Sequence, residues 1–137
     1  MSVEINDFTE EVLKALNEQL AAGLEAVGNQ AVSHAKRNLT AAGRVDSGVL
    51  RNSIMHQVVM SEKAVYIGSN VHYAIYNEMG TGIYTDGGGG RQTPWSYKDY
   101  KGNWHTTSGM KPTHFLKEAA QDHPYEYRAI MERYLKE

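Results

Sequence analysis

The chain contains no cysteine, and that single absence removes several classes of protein at once. It excludes a disulfide scaffold, a thiolate site for zinc or an iron–sulfur cluster, and a cysteine nucleophile. Only three prolines are present, and no apolar run approaches the roughly 18 residues of a membrane-spanning helix. An excess of one charge is missing too. Fourteen basic against 16 acidic side chains leave a formal charge of −2, too little field to hold nucleic acid on a broad face. The local basic run Lys36, Arg37, Arg44 and Arg51 reads as a solvated face more readily than as a phosphate grip. The segment Met1 to Asp7 is acidic and has no apolar centre. No secretory signal is therefore expected, the protein is expected to be made in a cytoplasm, and Asn38-Leu39-Thr40 reads as a chance glycosylation sequon.

What is present fits one domain spanning all 137 residues. Asp7 followed by Glu10 reads as an N-cap with its box partner, opening a helix near Phe8. Phe8, Val12, Leu16, Leu20, Leu24, Val27, Ala31, Ala35 and Leu39 then recur every three or four residues, one continuous helical stripe. At 1.5 Å per residue such a helix is about 48 Å long, more than a small domain needs, so its N-terminal half is expected to overhang. Gly23 and Gly28 inside it mark a bend or a close contact. Ala41-Ala42-Gly43 closes the helix, and Asp46 or Ser47 can cap a short second one through Leu50 and Arg51.

From Ile54 the pattern changes to period two. Ile54, His56, Val58 and Met60 alternate, Ser61-Glu62-Lys63 turns, and Ala64 to Ile67 returns, a hairpin on which the first helix can lie. Tyr73 and Tyr76 share one helical face before Gly80-Thr81-Gly82 breaks regular structure. Eight of the 13 glycines lie between Gly80 and Gly109, and Thr85 to Arg91 is expected to be a mobile loop. Trp95 to Lys98 and Trp104 to Thr107 then flank a turn, an exposed aromatic hairpin within an insertion at about 82–110. Pro112 and Thr113 are expected to start a last helix, with Phe115, Leu116, Ala119 and Ala120 apolar and an interruption at Pro124.

A search for chemistry finds little. His34, His56, His72, His105, His114 and His123 show none of the close metal-ligand spacings, although His105 with His114, or His56 with His72, could meet in space. There is no nucleophile elbow, and the Gly87–Gly90 run lacks the Lys-Ser/Thr of a phosphate loop. Glu78, six residues after His72, is the one acid of its segment. It reads less as a general base than as an acceptor for the amides of Gly80, Thr81 and Gly82, or as a partner of Arg51. Trp95, Tyr97, Tyr100 and Trp104 could stack bases, but on an acidic chain they suit a protein–protein contact better. No catalytic set, metal site or cofactor is expected.

Three ordered blocks resemble a known family. They are Asp46-Ser47-Gly48-Val49-Leu50-Arg51-Asn52-Ser53-Ile54, Tyr73-Ala74-Ile75-Tyr76-Asn77-Glu78-Met79-Gly80-Thr81, and Pro112-Thr113-His114-Phe115-Leu116-Lys117-Glu118-Ala119. In this order and spacing they are similar to the small tail-component or head–tail joining proteins of long-tailed bacteriophages. The chain departs from that pattern at Arg44-Val45, where a proline is common, at Asn77, where an apolar residue is common, and in its longer aromatic insertion.

The resemblance implies an α+β fold, with a long N-terminal helix on a small antiparallel sheet and a C-terminal helix beside it. It also implies a non-enzymatic virion subunit of the neck. Such a subunit forms a ring, six-fold by expectation, with itself and neighbouring neck or tail proteins, and DNA passes through the lumen. Asp46, Gly48, Leu50, Arg51, Tyr73, Tyr76, Glu78, Gly80, Thr81, Pro112, Phe115 and Leu116 are then architectural. The rival readings are a nucleic-acid-binding module using the aromatic hairpin with the basic run, and a small metal-dependent hydrolase built from the histidines.

Overall fold

The computed structural model describes residues 9–44, 48–99 and 101–136. The long helix is present and unbroken: α1 runs Thr9–Ala41, 33 residues, with Glu10 and Glu11 in its first turn facing the positive end of the helix dipole. Asp7 and Phe8, the expected cap and first apolar residue, lie outside the described residues. The helix closes as expected, with Gly43 at φ 71° and the Arg44 amide donating 3.0 Å to the Leu39 carbonyl. The stripe is buried only along its C-terminal part, at Leu24, Val27, Ala31, Ala35 and Leu39. Residues 9–18 are all exposed, and Val12 and Leu13 each keep 53% of their surface. Among the described residues this part of the stripe is left uncovered, with only Met60 and Lys63 at the hairpin turn facing Leu13 and Asn17 across an open cleft.

The two interior glycines are contact points. A Cβ on Gly28 would stand 2.5 Å from the His56 ring and 2.9 Å from its Cβ. One on Gly23 would meet the flexible end of Met131 at 2.8 Å. His56 belongs to a hairpin of β1 (Met55–Val59) and β2 (Ala64–Gly68), antiparallel with His56 opposite Ile67 and Val58 opposite Val65. Both strands pack on α1, and Gly28 is what lets β1 approach so closely.

Between α1 and the hairpin, α2 (Val49–Ser53) follows Gly48, which takes the N-cap position at φ 84° without a side-chain cap. Asp46 and Ser47, the expected caps, lie outside the described residues. After the hairpin come α3 (Ala74–Met79), a single 3-10 turn (Gly82–Tyr84) and a second antiparallel pair, β3 (Trp95–Lys98) with β4 (Trp104–Thr107).

The expected last helix is two. Pro112 stands outside it, α4 spans Phe115–Gln121, and α5 spans Pro124–Leu135 with Pro124 in its first turn. Proline is favoured there because the amide it lacks has no intrahelical partner. The core gathers Ala35 and Leu39 of α1, Leu50 of α2, Ile54, Ala74 of α3, and Phe115 and Ala119 of α4. Phe115 and Leu39 are its largest fully buried side chains. The fold is therefore α+β, with the long helix as the spine on which the first hairpin and both C-terminal helices lie.

Against a helix-propensity gain of about 1 kcal/mol, Gly28→Ala must displace a ring held close to its own backbone, so a net loss of about 1–2 kcal/mol in denaturant unfolding is expected. Gly23→Ala, which has to push the Met131 tip aside and ease a 3.3 Å approach to Tyr134 Cβ, should cost less than Gly28→Ala, within about 1 kcal/mol of the parent.

Tyr127 of α5 supplies a pH test. Its hydroxyl donates to the Ala119 carbonyl, and burial, aided by the charge of Glu126, pushes its pKa up to about 12. In the unfolded chain it ionises near 10.0, so its contribution is complete below that value and is lost as pH rises from there towards about 12. Alkaline unfolding curves should show this slope, and Tyr127→Phe should flatten it.

A candidate assembly surface around alpha 3

The segment from Tyr73 to Gly82 is short, yet most of the returning chain is tied to it. A helix leaves its last carbonyls unpaired, and three of those in α3 are taken up by two other stretches of chain. The Asn77 carbonyl accepts from the Thr113 amide at 2.8 Å and from the Thr113 hydroxyl at 2.7 Å. The Glu78 carbonyl takes the His114 amide at 3.2 Å, the Met79 carbonyl the Asp86 amide at 2.7 Å, and the Tyr76 carbonyl the Gly80 amide at 2.9 Å.

The side chain of Glu78 answers in the opposite direction. Its Oε1 accepts from the Leu116 amide at 2.9 Å and the Lys117 amide at 2.8 Å, capping the N-terminus of α4. Neither expected arrangement of Glu78 is found. The Gly80 amide is already bound to Tyr76 and the Thr81 amide to the Met110 carbonyl at 2.8 Å, while the Arg51 Nε donates to the Thr40 hydroxyl at 3.1 Å. The second oxygen, Oε2, is buried 3.9 Å from Nδ1 of His114, beyond hydrogen-bond range, and neither atom has another partner. On its other side, His114 Nε2 lies 3.4 Å from Asp86 Oδ2. His114 and Asp86 thus stand beside Glu78 in place of His72, whose ring meets Tyr73 edge-on at 5.4 Å. The left-handed His114 backbone, φ 52°, turns the chain so that its ring and the amides of α4 both face Glu78, which no spacing in the sequence announces.

Gly80-Thr81-Gly82 joins α3 to the aromatic hairpin. Thr81 bonds Met110 in both directions, its Oγ1 accepting the Met110 amide at 2.8 Å, and the Ile83 amide donates to Ser108 at 3.0 Å. Gly82 has φ 61° and a Cβ there would fall 2.0 Å from the Ser108 carbonyl, so only glycine fits. Beside it, Gly80 has φ 81° and lies against Pro112, whose Cδ would stand 2.9 Å from a Cβ at position 80. In the hairpin itself, Asp99 Oδ1 accepts the amides of Lys101 and Asn103, and its Oδ2 stands 2.7 Å from Nε2 of His105. These contacts, the hydrogen bond to His105 first, hold the Asp99 pKa below its ordinary value. Tyr100 lies outside the described residues.

What remains open around α3 is apolar. Tyr73, Tyr76, Met79, Thr81, Trp95 and Tyr97 line a cleft between α3 and the hairpin, and Ile75 beside it is 59% exposed. Trp104, at 70%, extends the aromatic surface, and Arg91 sits over the Trp95 ring at 5.5 Å. Leu50, Phe115 and Leu116, by contrast, serve the core. Part of the basic run is spent internally too. Arg44 donates to the Lys111 carbonyl at 2.8 Å and to Asn77 Oδ1 at 3.5 Å, and partial burial lowers its pKa.

The histidine pairs considered from sequence are engaged separately, His56 with Glu25 and His105 with Asp99. The two imidazoles that do meet are His34 and His123. Comparison with protein-family models, with curated proteins and with solved structures gives no match.

Removing the carboxylate with Glu78→Ala leaves two amides at the start of α4 without their acceptor, and thermal or denaturant unfolding should show a loss of about 2–3 kcal/mol. Glu78→Gln keeps one acceptor oxygen and places an amide towards His114, so it should lose no more than about half as much.

Proposed function

We propose that this chain is a structural subunit of a long-tailed phage neck, joining head to tail or completing the tail end as an oligomeric ring without catalysis. The observation that supports this best is how the three sequence blocks are used. Leu50, Ala74 and Phe115 share one core, and Glu78 of the second block caps the helix of the third. Much of each block is committed to support, while two apolar surfaces, the α1 arm at Val12, Leu13 and Leu16 and the cleft lined by Tyr73, Tyr76 and Met79 of the second block, stay uncovered among the described residues. A subunit that completes its packing on neighbours has this character, because exposed apolar area of that kind is stabilised only by a partner. In this reading the partners are further copies of the chain and adjoining neck or tail proteins, and a mildly acidic ring lets DNA pass without holding it.

Deleting the reading frame from the genome that carries it, followed by negative-stain electron microscopy of the induced lysate, tests the reading. Heads and tails accumulating apart, or tails with unfinished ends, are expected. Normal infectious particles would overturn it.

Complementation with Leu16→Lys adds a finer test. Leu16 is 46% exposed, so the isolated variant should unfold within about 0.5 kcal/mol of the parent while failing to restore joined particles.

A further inference from the structure

His34, His123 and Glu126 lie apart in the sequence and together in the fold. His34 sits in the C-terminal third of α1 and is buried. His123 immediately precedes α5, and Glu126 is in the first turn of that helix. One donor atom from each falls within 4.8 Å of the other two. Glu126 Oε2 is 2.9 Å from His34 Nε2 and 3.7 Å from His123 Nδ1, and the two rings stack at 3.6 Å with 7° between their planes.

We propose that these three side chains form a site for a borderline divalent transition cation such as Zn2+, clasping the start of α5 to the C-terminal third of α1. Two imidazole nitrogens and one carboxylate oxygen are a donor set such cations favour over Mg2+ or Ca2+, which prefer oxygen alone. Bonds of about 2.0–2.1 Å in a tetrahedral site put neighbouring donors roughly 3.3 Å apart, between the two distances to Glu126. Gln30, one turn before His34 on the same face, brings its side-chain amide to 3.5 Å from His34 Nε2. The oxygen and nitrogen of that amide exchange places by a simple flip, so Gln30 can supply a fourth, oxygen donor.

One movement is required. Parallel rings aim their lone pairs side by side, whereas a cation needs them to converge. The His123 side chain is 32% exposed against 10% for His34, so it is His123 that turns. Cation binding therefore separates the stacked rings. Glu126 keeps 39% of its side chain exposed, so water can take the fourth position where Gln30 does not.

The test uses the untagged full chain, stripped with chelator and titrated with ZnCl2 by calorimetry, with MgCl2 as control. One equivalent should bind, Mg2+ should not compete, and the thermal midpoint should rise by several degrees at saturating metal. His123→Asn and Glu126→Gln, both altered at partly exposed positions and checked for helix content by circular dichroism, should each weaken binding at least about tenfold. Ring-proton NMR shifts of His34 and His123 should move together on titration as the stack opens. No binding at about 100 μM Zn2+, or binding of equal strength in His123→Asn, would overturn the site, the latter showing that other histidines hold the metal. His34→Gln is the third ligand variant. Should it unfold, the two partly exposed variants still decide the matter.

Discussion

Two helix ends that need opposite partners meet in this protein, and each supplies the other. The end of α3 offers carbonyls, and the chain leading into α4 offers the amides of Thr113 and His114. The start of α4 needs an acceptor for its own free amides, and Glu78, near the end of α3, provides it. The exchange sets where Phe115 enters the core and therefore where α4 lies against α1. It is also local in energy and long in sequence, since Glu78 and Lys117 are 39 residues apart. The hairpin insertion is looped out between the two halves of the exchange, which is how it can be long without disturbing the core.

The same residues explain why the motif blocks look as they do. Glycine at 80 and 82 and threonine at 81 are consequences of chain segments passing within van der Waals distance of one another, with Pro112 lying against Gly80. None of these residues is ionisable, and the Thr81 hydroxyl is spent on the Met110 amide. What the crossing leaves outside is a cleft of tyrosine, methionine and tryptophan side chains beside α3.

Periodic features were legible in advance. The 3.6-residue stripe placed α1 almost to the residue, alternation placed β1 and β2, and the Trp95 and Trp104 segments placed β3 and β4. Features that depend on which segments meet were not. The acceptor role of Glu78 could be read, but its donors lie far along the chain and depend on a left-handed turn at His114, a residue that seldom signals one. The break between α4 and α5 was visible at Pro124, whereas Pro112 looked like a helix start and proved to be the wall against which Gly80 packs. His34 and His123 could not be paired from spacing, because the turn before α5 alone brings them face to face.

The uneven support beneath α1 gives one helix two mechanical characters. From about Gln19 onward its hydrogen bonds are anchored by the hairpin and by α5, and opening them means opening the domain. The ten residues before that persist as helix chiefly because propagation from an existing turn is easy while nucleation is hard. Amide protons along this single element should therefore exchange on a gradient, fast at the tip and slow past the middle, so that the arm behaves as a spring clamped at one end.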